Sequence, residues 1–339
     1  MQRCAEKISL VIPVLNEAEA LPHLFRALFP VLESLGCEYE VLFVNDGSTD
    51  ESLDILARVA HADPRIKVLS FSRNFGHQAA ITAGIDFTTG DAVIVMDADL
   101  QDPPQLLPEM VRLYRQGYDV VSPQRSARPG DPFFKRWAIT LFYLLMRKLV
   151  DKRIPPEVGD FRLLSRNTVI ALRQLREQHR YLRGMIAWLG LREAVLPFER
   201  QARSGGETKY PYSKLVRFAW TAICSFSALP LRFTMWLGLA TSSFGMGYLC
   251  WAVYMDLVRN RAVWGWTSMV SLQCLFFGVT LVCVSLIGDY IARIYEESKR
   301  RPLYVVNRAV NITEAPADTG RAVFLSPRSS ETTIHANRV

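Results

Sequence analysis

Residues 93–104 of the chain read VIVMDADLQDPP, an apolar run that leads directly into an acidic loop. The β-branched and apolar residues up to Met96 predict a buried strand, and two prolines close the loop that follows it. Carboxylates at Asp97, Asp99 and Asp102 therefore come directly after the strand. In an open α/β sheet, ligands bind beyond the carboxyl ends of the strands, so these acids lie where a ligand is expected.

The spacing of these acids suits a divalent cation. If the chain bends after the strand, Asp97 and Asp99 can direct their carboxylates at one point, where they would repel each other if left unpaired. Mg²⁺ is usually held by one or two carboxylates together with substrate phosphates and waters, and Mn²⁺ also prefers oxygen ligands. Taken alone, however, the stretch is more typical of a strand with an Asp-rich turn and a helix cap.

The acidic loop does not stand alone, because three earlier segments repeat the pattern of a strand and a helix. Strands are predicted at 8–13, 39–44 and 66–71, each followed by a polar loop and a helical apolar pattern. This alternation predicts an α/β fold with a mainly parallel sheet and right-handed crossovers. Polar residues that follow these strands should gather at one edge of the sheet, and they are Asn16, Glu17, Asp46, Asp97 and Asp99.

Composition narrows the classes of function. The net charge of +7 suits an anionic partner, which could be nucleic acid, anionic lipid or a phosphorylated substrate. No G-x-G-x-x-G follows the first strand and no G-K-[ST] loop is present, which disfavours dinucleotide and P-loop sites. Six cysteines without C-x-x-C spacing are predicted to be free thiols. No cleavable apolar signal precedes the first strand, so we expect this part of the chain in the cytosol.

Hydropathy predicts a membrane region near the C-terminus. Residues 233–255 and 262–288 carry no charged side chain, and each stretch is long enough for a helix that crosses a bilayer, which needs about 20 residues. Most of the flanking basic residues lie before the first stretch and after the second. The positive-inside rule therefore places both termini in the cytosol and predicts a multi-pass protein with two spans.

The remaining segments are predicted to form helices, a cytosolic segment and a tail. Residues 133–150 form either an interfacial amphipathic helix or a buried core helix with charged ends. Residues 180–189 are equally typical of a basic amphipathic helix and of a core helix. A juxtamembrane amphipathic helix is expected at 213–230 and a cytosolic segment at 291–314. The polar residues from 315 to 339 are predicted to be disordered.

Five motifs together resemble a known family. They are VIPVLNE at 11–17, VNDGSTD at 44–50, SRNFG at 72–76, DADLQDPP at 97–104 and GDFRL at 159–163. Their order and spacing resemble glycosyltransferase family 2 enzymes with the GT-A fold, and within them the polyprenyl-phosphate glycosyltransferases. These include dolichyl-phosphate mannose synthase and the bacterial undecaprenyl-phosphate glucosyltransferases, to which this chain looks most similar. The resemblance extends over about residues 8–306.

The resemblance implies roles for individual residues. The nucleotide-sugar donor would bind to Pro13, Asn16, Glu17, Asp46, Gly76 and Asp97. Mg²⁺ or Mn²⁺ would be held by Asp97, Asp99 and Gln101. The phosphate of the lipid acceptor would be received by Arg125, Lys135, Arg203 and Lys209. The residues expected to act in catalysis are Asp99, Arg125, Asp160 and Arg203, with Asp160 acting as either a base or a positioning residue.

The family further implies an inverting transfer of a sugar to undecaprenyl phosphate at the bacterial inner membrane. We expect UDP-glucose as the donor, with GDP-mannose, UDP-N-acetylhexosamine and UDP-aminoarabinose as alternatives, and a homotetramer as the assembly. A processive polysaccharide synthase is disfavoured because the chain lacks a Gln-x-x-Arg-Trp signature and further spans. A non-catalytic scaffold would have no reason to keep acids on one edge. Nucleic-acid binding would explain the charge but not two spans.

Overall fold

The computed structural model describes residues 7–125, 158–198, 229–258, 265–312 and 322–324. The chain divides into two compact units. The first unit comprises Met1–Tyr210 and Arg300–Val339, and the second comprises Pro211–Lys299. The predicted interfacial helix at 133–150 lies outside the described residues, as does almost all of the predicted juxtamembrane helix at 213–230.

The first unit is built on a mixed sheet. Its described strands are β1 (Lys7–Val14), β2 (Glu38–Asn45), β3 (Ile66–Phe71), β4 (Ala92–Val95), β5 (Val120–Arg125), β6 (Arg162–Ser165), β7 (Glu193–Phe198), β8 (Tyr304–Val310) and β9 (Ala322–Phe324). They lie in the order β7-β5-β6-β4-β1-β2-β3-β8-β9. The strand β6 is antiparallel to β4 and β5, and β8 is antiparallel to β3, while the other neighbours are parallel. The predicted α/β fold of the GT-A type with a mainly parallel sheet is confirmed.

Helices cover the sheet on both faces. The helices described in this unit are α1 (Leu21–Ser34), α2 (Ser52–Ala62), α3 (His77–Phe87), α4 (Leu107–Arg115), α5 (Arg166–Gln174) and α6 (Leu182–Leu189). One apolar core includes residues of α1, α2 and α4, and a second includes residues of α3 and β8. The strand β1 is accordingly buried along almost its whole length, as expected for a strand with helices on both sides.

Small residues bring α3 close to the centre of the sheet. A Cβ atom on Gly84 would lie 2.1 Å from Cγ1 of Val11, so the helix axis can approach β1 only because this position has no side chain. The close packing fixes the amino end of α3, at Gly76 and His77, beside the carboxyl ends of the strands. Gly76 and His77 are thereby placed next to the loops that follow these strands.

The parallel register explains why the predicted polar residues converge. The strand β1 lies between β2 and β4, and Val14 is in register with Asn45, while Val11 is in register with Val95. The loops that follow these three strands therefore leave the sheet at the same edge. Asn16, Asp46 and Asp97 lie in these loops, as the sequence predicted.

The C-terminal segment differs from the prediction. Residues 304–310, expected to belong to a separate cytosolic segment, form β8 and pair with β3 in the sheet of the first unit. Residues 322–324, within the tail predicted to be disordered, form β9 and pair with β8. The physical reason is the burial of Tyr304 and Val306 in the core beside α3, which draws the segment onto the edge of the sheet.

The second unit contains two long helices, α7 (Leu229–Leu257) and α8 (Trp266–Ser298). They contain both of the uncharged stretches predicted as membrane spans, except for the first residues of the second stretch. By length and composition, one described helix segment, Leu275–Ser298, could cross a membrane, and its apolar side chains are not buried within the protein. The two-span topology stays a prediction. The described thiols of Cys37, Cys250 and Cys283 are free, as predicted.

Candidate active site

The loop after β2 is fastened to the loop before α3 by Asp46. Its Oδ1 accepts a hydrogen bond from the backbone N–H of Phe75 at 2.7 Å, and its Oδ2 accepts one from Gly76 at 2.9 Å. Burial raises the pKa of Asp46 above its ordinary value, although both N–H donors act in the opposite direction. The neighbouring Gly47 has φ +73°, and a Cβ atom there would lie 2.5 Å from the carbonyl carbon of Arg73. The two loops can approach each other only with glycine at this position.

The loop after β1 is held by the loop after β2. Asn16 has φ +54°, an uncommon conformation for a residue with a side chain, and its Oδ1 accepts a hydrogen bond from the N–H of Thr49 at 2.8 Å. The backbone N–H of Asn16 donates to Oγ of Ser48 at 3.0 Å, and that of Glu17 donates to Oγ of Ser52 at 2.9 Å. The structure therefore brings Asn16, Glu17 and Asp46 together, and Pro13 precedes them at the end of β1.

The acidic loop after β4 is shaped by its own carboxylates. Asp102 is buried, and its Oδ2 lies 3.5 Å from the backbone N–H of Asp97. Oδ1 of Asp99 accepts a hydrogen bond from the N–H of Gln101 at 3.1 Å, and Leu100 between them has φ +58°. A left-handed conformation at leucine is strained and is more frequent in functional loops than elsewhere. The chain thus bends out of strand geometry at Leu100, which is the condition under which Asp97 and Asp99 could direct their carboxylates at one point.

Asp97 has an oxygen that the protein leaves unsatisfied. Its Oδ1 is buried and has no hydrogen-bond partner among the described residues. Burial, together with the nearby carboxylates of Asp102, Asp160 and Asp99, raises the pKa of Asp97 to about 7, while His77 opposes the shift. The nearest cationic group among the described side chains is the imidazole of His77, whose Nε2 is 3.6 Å from this oxygen and makes no hydrogen bond to it, so a cation or a donor from a ligand would complete its contacts.

The donor set at this loop fits a divalent cation bound together with a ligand. Within the described part of the chain, no group of three or more His, Cys, Asp or Glu side chains is arranged to hold a metal ion. The pair of carboxylates at Asp97 and Asp99 is, however, the number that Mg²⁺ commonly takes from a protein when phosphates and waters complete its shell. The unsatisfied Oδ1 of Asp97 supports this arrangement.

Asp160 lies across the site from Asp97 and is surrounded by donors. Its Oδ1 accepts a hydrogen bond from Nε of Arg183 at 2.9 Å, and its Oδ2 accepts from Nη2 of Arg183 at 3.3 Å and from Nε2 of Gln78 at 3.2 Å. Nε2 of His77 is 3.4 Å from Oδ2 of Asp160 and 3.6 Å from Oδ1 of Asp97. The imidazole of His77 therefore stands between the two carboxylates.

The charged side chains around Asp160 shift one another's pKa values. Burial alone would raise the pKa of Asp160, but the charges and hydrogen bonds of Arg183 and His77 outweigh it and hold that pKa well below its usual range. Burial opposes protonation of His77, but its hydrogen bond to Asp160 and the charge of Asp97 raise its pKa. Asp160 is therefore an ionised, fully engaged carboxylate at neutral pH, unlike Asp97.

The sequence analysis did not single out His77, Gln78 or Arg183. The first two directly follow the motif at 72–76 and begin a helix at the site edge, which was an available signal. Arg183 lies in the segment 180–189, which was predicted to be either a surface helix or a core helix. Because 23 residues separate Arg183 from Asp160 and 82 separate Gln78 from Asp160, no local pattern connected them.

The predicted acceptor-phosphate residues are largely beyond the described part of the chain. Lys135, Arg203 and Lys209 lie outside the described residues. Arg125 is the last residue of β5, and its backbone lies at the end of a strand parallel to β7. Their roles stay predictions.

Comparisons with known proteins identify the family of the chain. The model of the family described as "Glycosyl transferase family 2" matches residues 9–173. An uncharacterized glycosyltransferase, YkcC of Bacillus subtilis, is 41% identical over 90% of this chain and 94% of its own length. The prophage bactoprenol glucosyl transferase homolog of Escherichia coli is 37% identical, over 89% of this chain and 99% of that protein. The bactoprenol glucosyl transferase of Shigella phage SfX is 39% identical, over 88% and 98%.

Among solved structures, glucosyl-3-phosphoglycerate synthase from Mycobacterium tuberculosis, in complex with Mn²⁺, uridine diphosphate and glucosyl-3-phosphoglycerate, is similar to this chain. The TM-score is 0.47 at 20% identity, and the match covers 65% of this chain and 78% of that one.

Proposed function

Because the chain belongs to glycosyl transferase family 2 and is a glycosyltransferase, we propose that it transfers a sugar from a nucleotide-sugar donor to a polyprenyl phosphate, with inversion at the anomeric carbon. One observation supports the site assignment above all others. The loops after β1, β2 and β4 meet at one edge of the sheet, and the unsatisfied Oδ1 of Asp97 lies there within 3.6 Å of His77.

The donor would lie across the loops after β1 and β2. Asn16 is exposed and Asp46 is held rigidly by Phe75 and Gly76, so the two loops offer polar groups in fixed positions beside the end of β4. Pro13 and Glu17 belong to the same edge. Groups held in advance bind a ligand with little loss of conformational entropy.

Asp97, Asp99 and Gln101 would hold a divalent cation, Mg²⁺ or Mn²⁺. Bound there, such a cation supplies positive charge that stabilises the diphosphate as it leaves the sugar. The bend at Leu100 and the buried position of Asp102 shape the loop that carries these side chains. Burial first, and then repulsion from the neighbouring acids, raises the pKa of Asp97, and a bound cation would oppose both effects.

The acceptor is proposed to be undecaprenyl phosphate, and the sugar glucose from UDP-glucose. Two of the relatives above are named bactoprenol glucosyl transferases or homologs of them. The apolar helix segment Leu275–Ser298 would anchor the protein where such a lipid resides. A phosphate monoester has a second pKa near ~6, so the acceptor is largely ionised at neutral pH and can attack without a base. Arg125 and Arg203, with Lys135 and Lys209, are proposed to bind its phosphate.

Transfer of radiolabelled sugar tests the proposal. The full chain in detergent would be given undecaprenyl phosphate and, in turn, UDP-glucose, GDP-mannose, UDP-N-acetylhexosamine and UDP-aminoarabinose, with Mg²⁺ or Mn²⁺ and with EDTA. We expect one donor to give a labelled lipid and EDTA to abolish it. The exposed Glu38→Ala variant, at the opposite edge of the sheet, should be as active as the wild type. Folded protein that gives no labelled lipid with any donor would contradict the proposal and favour a non-catalytic scaffold.

A further inference from the structure

We propose that Arg183 is a positioning residue for the transfer reaction: with Gln78 it forms a clamp that fixes Asp160 beside His77, across the site from Asp97. The inference rests on the proposed function, and it assigns to Arg183 and Gln78 a role that acts through Asp160. It also assigns a role to Asp160. The clamp holds its carboxylate in a fixed orientation, so that Asp160 acts as a positioning residue.

The first half of the clamp is a two-point contact. Nε and Nη2 of Arg183 donate to the two different oxygens of Asp160, at 2.9 Å and 3.3 Å. A guanidinium that meets both oxygens fixes the plane of the carboxylate as well as its position. The side chain of Asp160 is only 12% exposed, so water competes little with this contact. Lysine could supply the charge at this position but could not fix the plane.

The second half of the clamp is the amide of Gln78. Its Nε2 donates to Oδ2 of Asp160 at 3.2 Å, and its Oε1 accepts a hydrogen bond from the backbone N–H of Leu182 at 3.2 Å. One side chain thus joins the first turn of α3, the loop before β6 and the first turn of α6. Leu182 is the residue next to Arg183, so the two halves of the clamp support each other.

The clamp is continuous with the donor side of the site. Two residues before Gln78, the N–H of Gly76 donates to Asp46, and between them His77 faces both Asp160 and Asp97. A pair that served only to attach α6 could lie anywhere on the domain. This pair instead determines where Oδ2 of Asp160 stands relative to the imidazole of His77, which lies 3.6 Å from the unsatisfied oxygen of Asp97.

The surroundings of Asp160 agree with an orienting role. Cationic or polar donors face it from α6 (Arg183) and α3 (His77 and Gln78), the buried guanidinium of Arg162 lies near it, and Asp97 is the facing acid. A carboxylate whose oxygens already accept hydrogen bonds from charged donors is a weak proton acceptor. The acceptor phosphate is itself ionised at neutral pH and needs no base. The contribution that remains for Asp160 is therefore to orient the groups that contact it.

A double-mutant cycle of turnover tests this inference. The four proteins are wild type, Arg183→Ala, Asp160→Asn and the double variant, with Arg183→Lys as the conservative variant. We expect Arg183→Ala to lower kcat about 100-fold, the size expected for a misplacement of about 1 Å, while KM for the donor stays within twofold. The double variant should be no slower than Asp160→Asn, and Arg183→Lys should recover part of kcat. Arg192 is an exposed arginine that packs over the ring of Tyr118, and Arg192→Ala is the matched control. Its kcat and KM should equal those of the wild type.

Two results of this cycle would overturn the inference. Fully additive losses would show that Arg183 acts independently of Asp160. A raised KM for the lipid at unchanged kcat in Arg183→Ala would show that the guanidinium binds the acceptor phosphate directly.

A thermal-unfolding cycle on the same four proteins separates this inference from the proposed function. We expect the loss of Arg183 to lower Tm less in the Asp160→Asn background than in the wild type, because the partner of the guanidinium is already altered. Equal drops in both backgrounds would contradict the clamp. A wild-type protein without turnover on any donor would contradict the proposed function, and the unfolding cycle would still decide whether the clamp forms in solution.

Discussion

Glu40 and Asp97 are carboxylates at opposite edges of the same sheet, and the protein treats them in opposite ways. Glu40 lies near the start of β2, and Asp97 follows the end of β4. The pKa of Glu40 is lowered to about 2, and that of Asp97 is raised to about 7. Burial raises the pKa in both cases, so the difference comes from the partners that each carboxylate has.

Glu40 is surrounded by donors. Its Oε2 is 2.9 Å from Nζ of Lys7 and 2.9 Å from Nζ of Lys67, and its Oε1 accepts hydrogen bonds from Ser9 at 2.6 Å and from the N–H of Thr89 at 2.7 Å. This network joins β1, β2, β3 and the loop before β4. A buried charge with this many partners is satisfied by the protein alone, so Glu40 needs no ligand.

At the carboxyl edge, the hydrogen bonding of Asp97 is incomplete. Oδ1 of Asp97 has no hydrogen-bond partner among the described residues, and three further acids stand near it. The comparison teaches that the position of an acid at a strand end does not by itself mark a site. Incomplete hydrogen bonding marks it, because the nearest cationic group to Asp97 among the described residues is the imidazole of His77, at 3.6 Å, and a bound cation or ligand would relieve the remaining unfavourable charge.

The largest expected effect is the loss of activity in Asp97→Asn. Removing a carboxylate oxygen that would hold the cation weakens the charge stabilisation that the cation supplies, and the loss of one group that stabilises the transition state electrostatically lowers turnover by about 10²–10³-fold. Thermal stability should stay the same or rise, because the substitution removes repulsion among the acids. Steady-state turnover and a thermal-unfolding curve on the same preparation measure both. If Asp97→Asn keeps more than a tenth of wild-type turnover, Asp97 is not essential to a site at the carboxyl edge. The proposed difference between the two edges would then be contradicted.

Glu40→Ala should have the opposite signature. Removing the carboxylate leaves the ammonium groups of Lys7 and Lys67 beside a buried gap, and breaking a buried ion pair in this way costs about 3–5 kcal/mol. Turnover per folded molecule should be unchanged, since the network lies at the edge remote from the site. Denaturant unfolding checks the first point, with Glu38→Ala as the exposed control on the same strand. Equal stability of the two variants would contradict the role given to Glu40.

A smaller effect is expected in the dependence of stability on pH. Because folding lowers the pKa of Glu40 from 4.5 to about 2, its contribution is fully present above pH 4.5 and is lost as the pH falls toward 2. The difference in unfolding free energy between the wild type and Glu40→Gln should therefore shrink over this range, from at most ~3 kcal/mol. Unfolding curves between pH 7 and 3 test this, and a difference independent of pH would assign the stabilisation to packing.

Sequence reasoning predicted one of these edges well. Asn16, Asp46 and Asp97 follow strands that alternate with helices, and the parallel arrangement of such strands brings their carboxyl ends together. The bend at Leu100 and the role of Asp46 as a fastener between loops are local consequences of the same motifs. The polar residues at the amino edge gave no comparable signal, because Glu40 looks like an interruption of an apolar strand.

The parts that sequence reasoning missed depend on contacts between distant residues. The clamp on Asp160 is made by Gln78 and Arg183, which lie on two helices far apart in the chain. Tyr304 joins the sheet only because it is buried beside α3, where its Oη donates to Asp86 at 2.8 Å. Periodicity specifies which face of an element is apolar, but it does not specify which distant element that face will meet.

The affinity for UDP with and without Mn²⁺, in wild type and in Asp97→Asn, tests most directly whether the incomplete edge is the cation and diphosphate site. Calorimetric titration of the full chain would measure it, with Glu40→Gln as the control from the satisfied edge. We predict that Mn²⁺ increases the affinity of the wild type and of Glu40→Gln at least ~10-fold, equivalent to ~1.4 kcal/mol, and leaves that of Asp97→Asn unchanged. An equal gain in Asp97→Asn, or no gain in the wild type, would contradict the account.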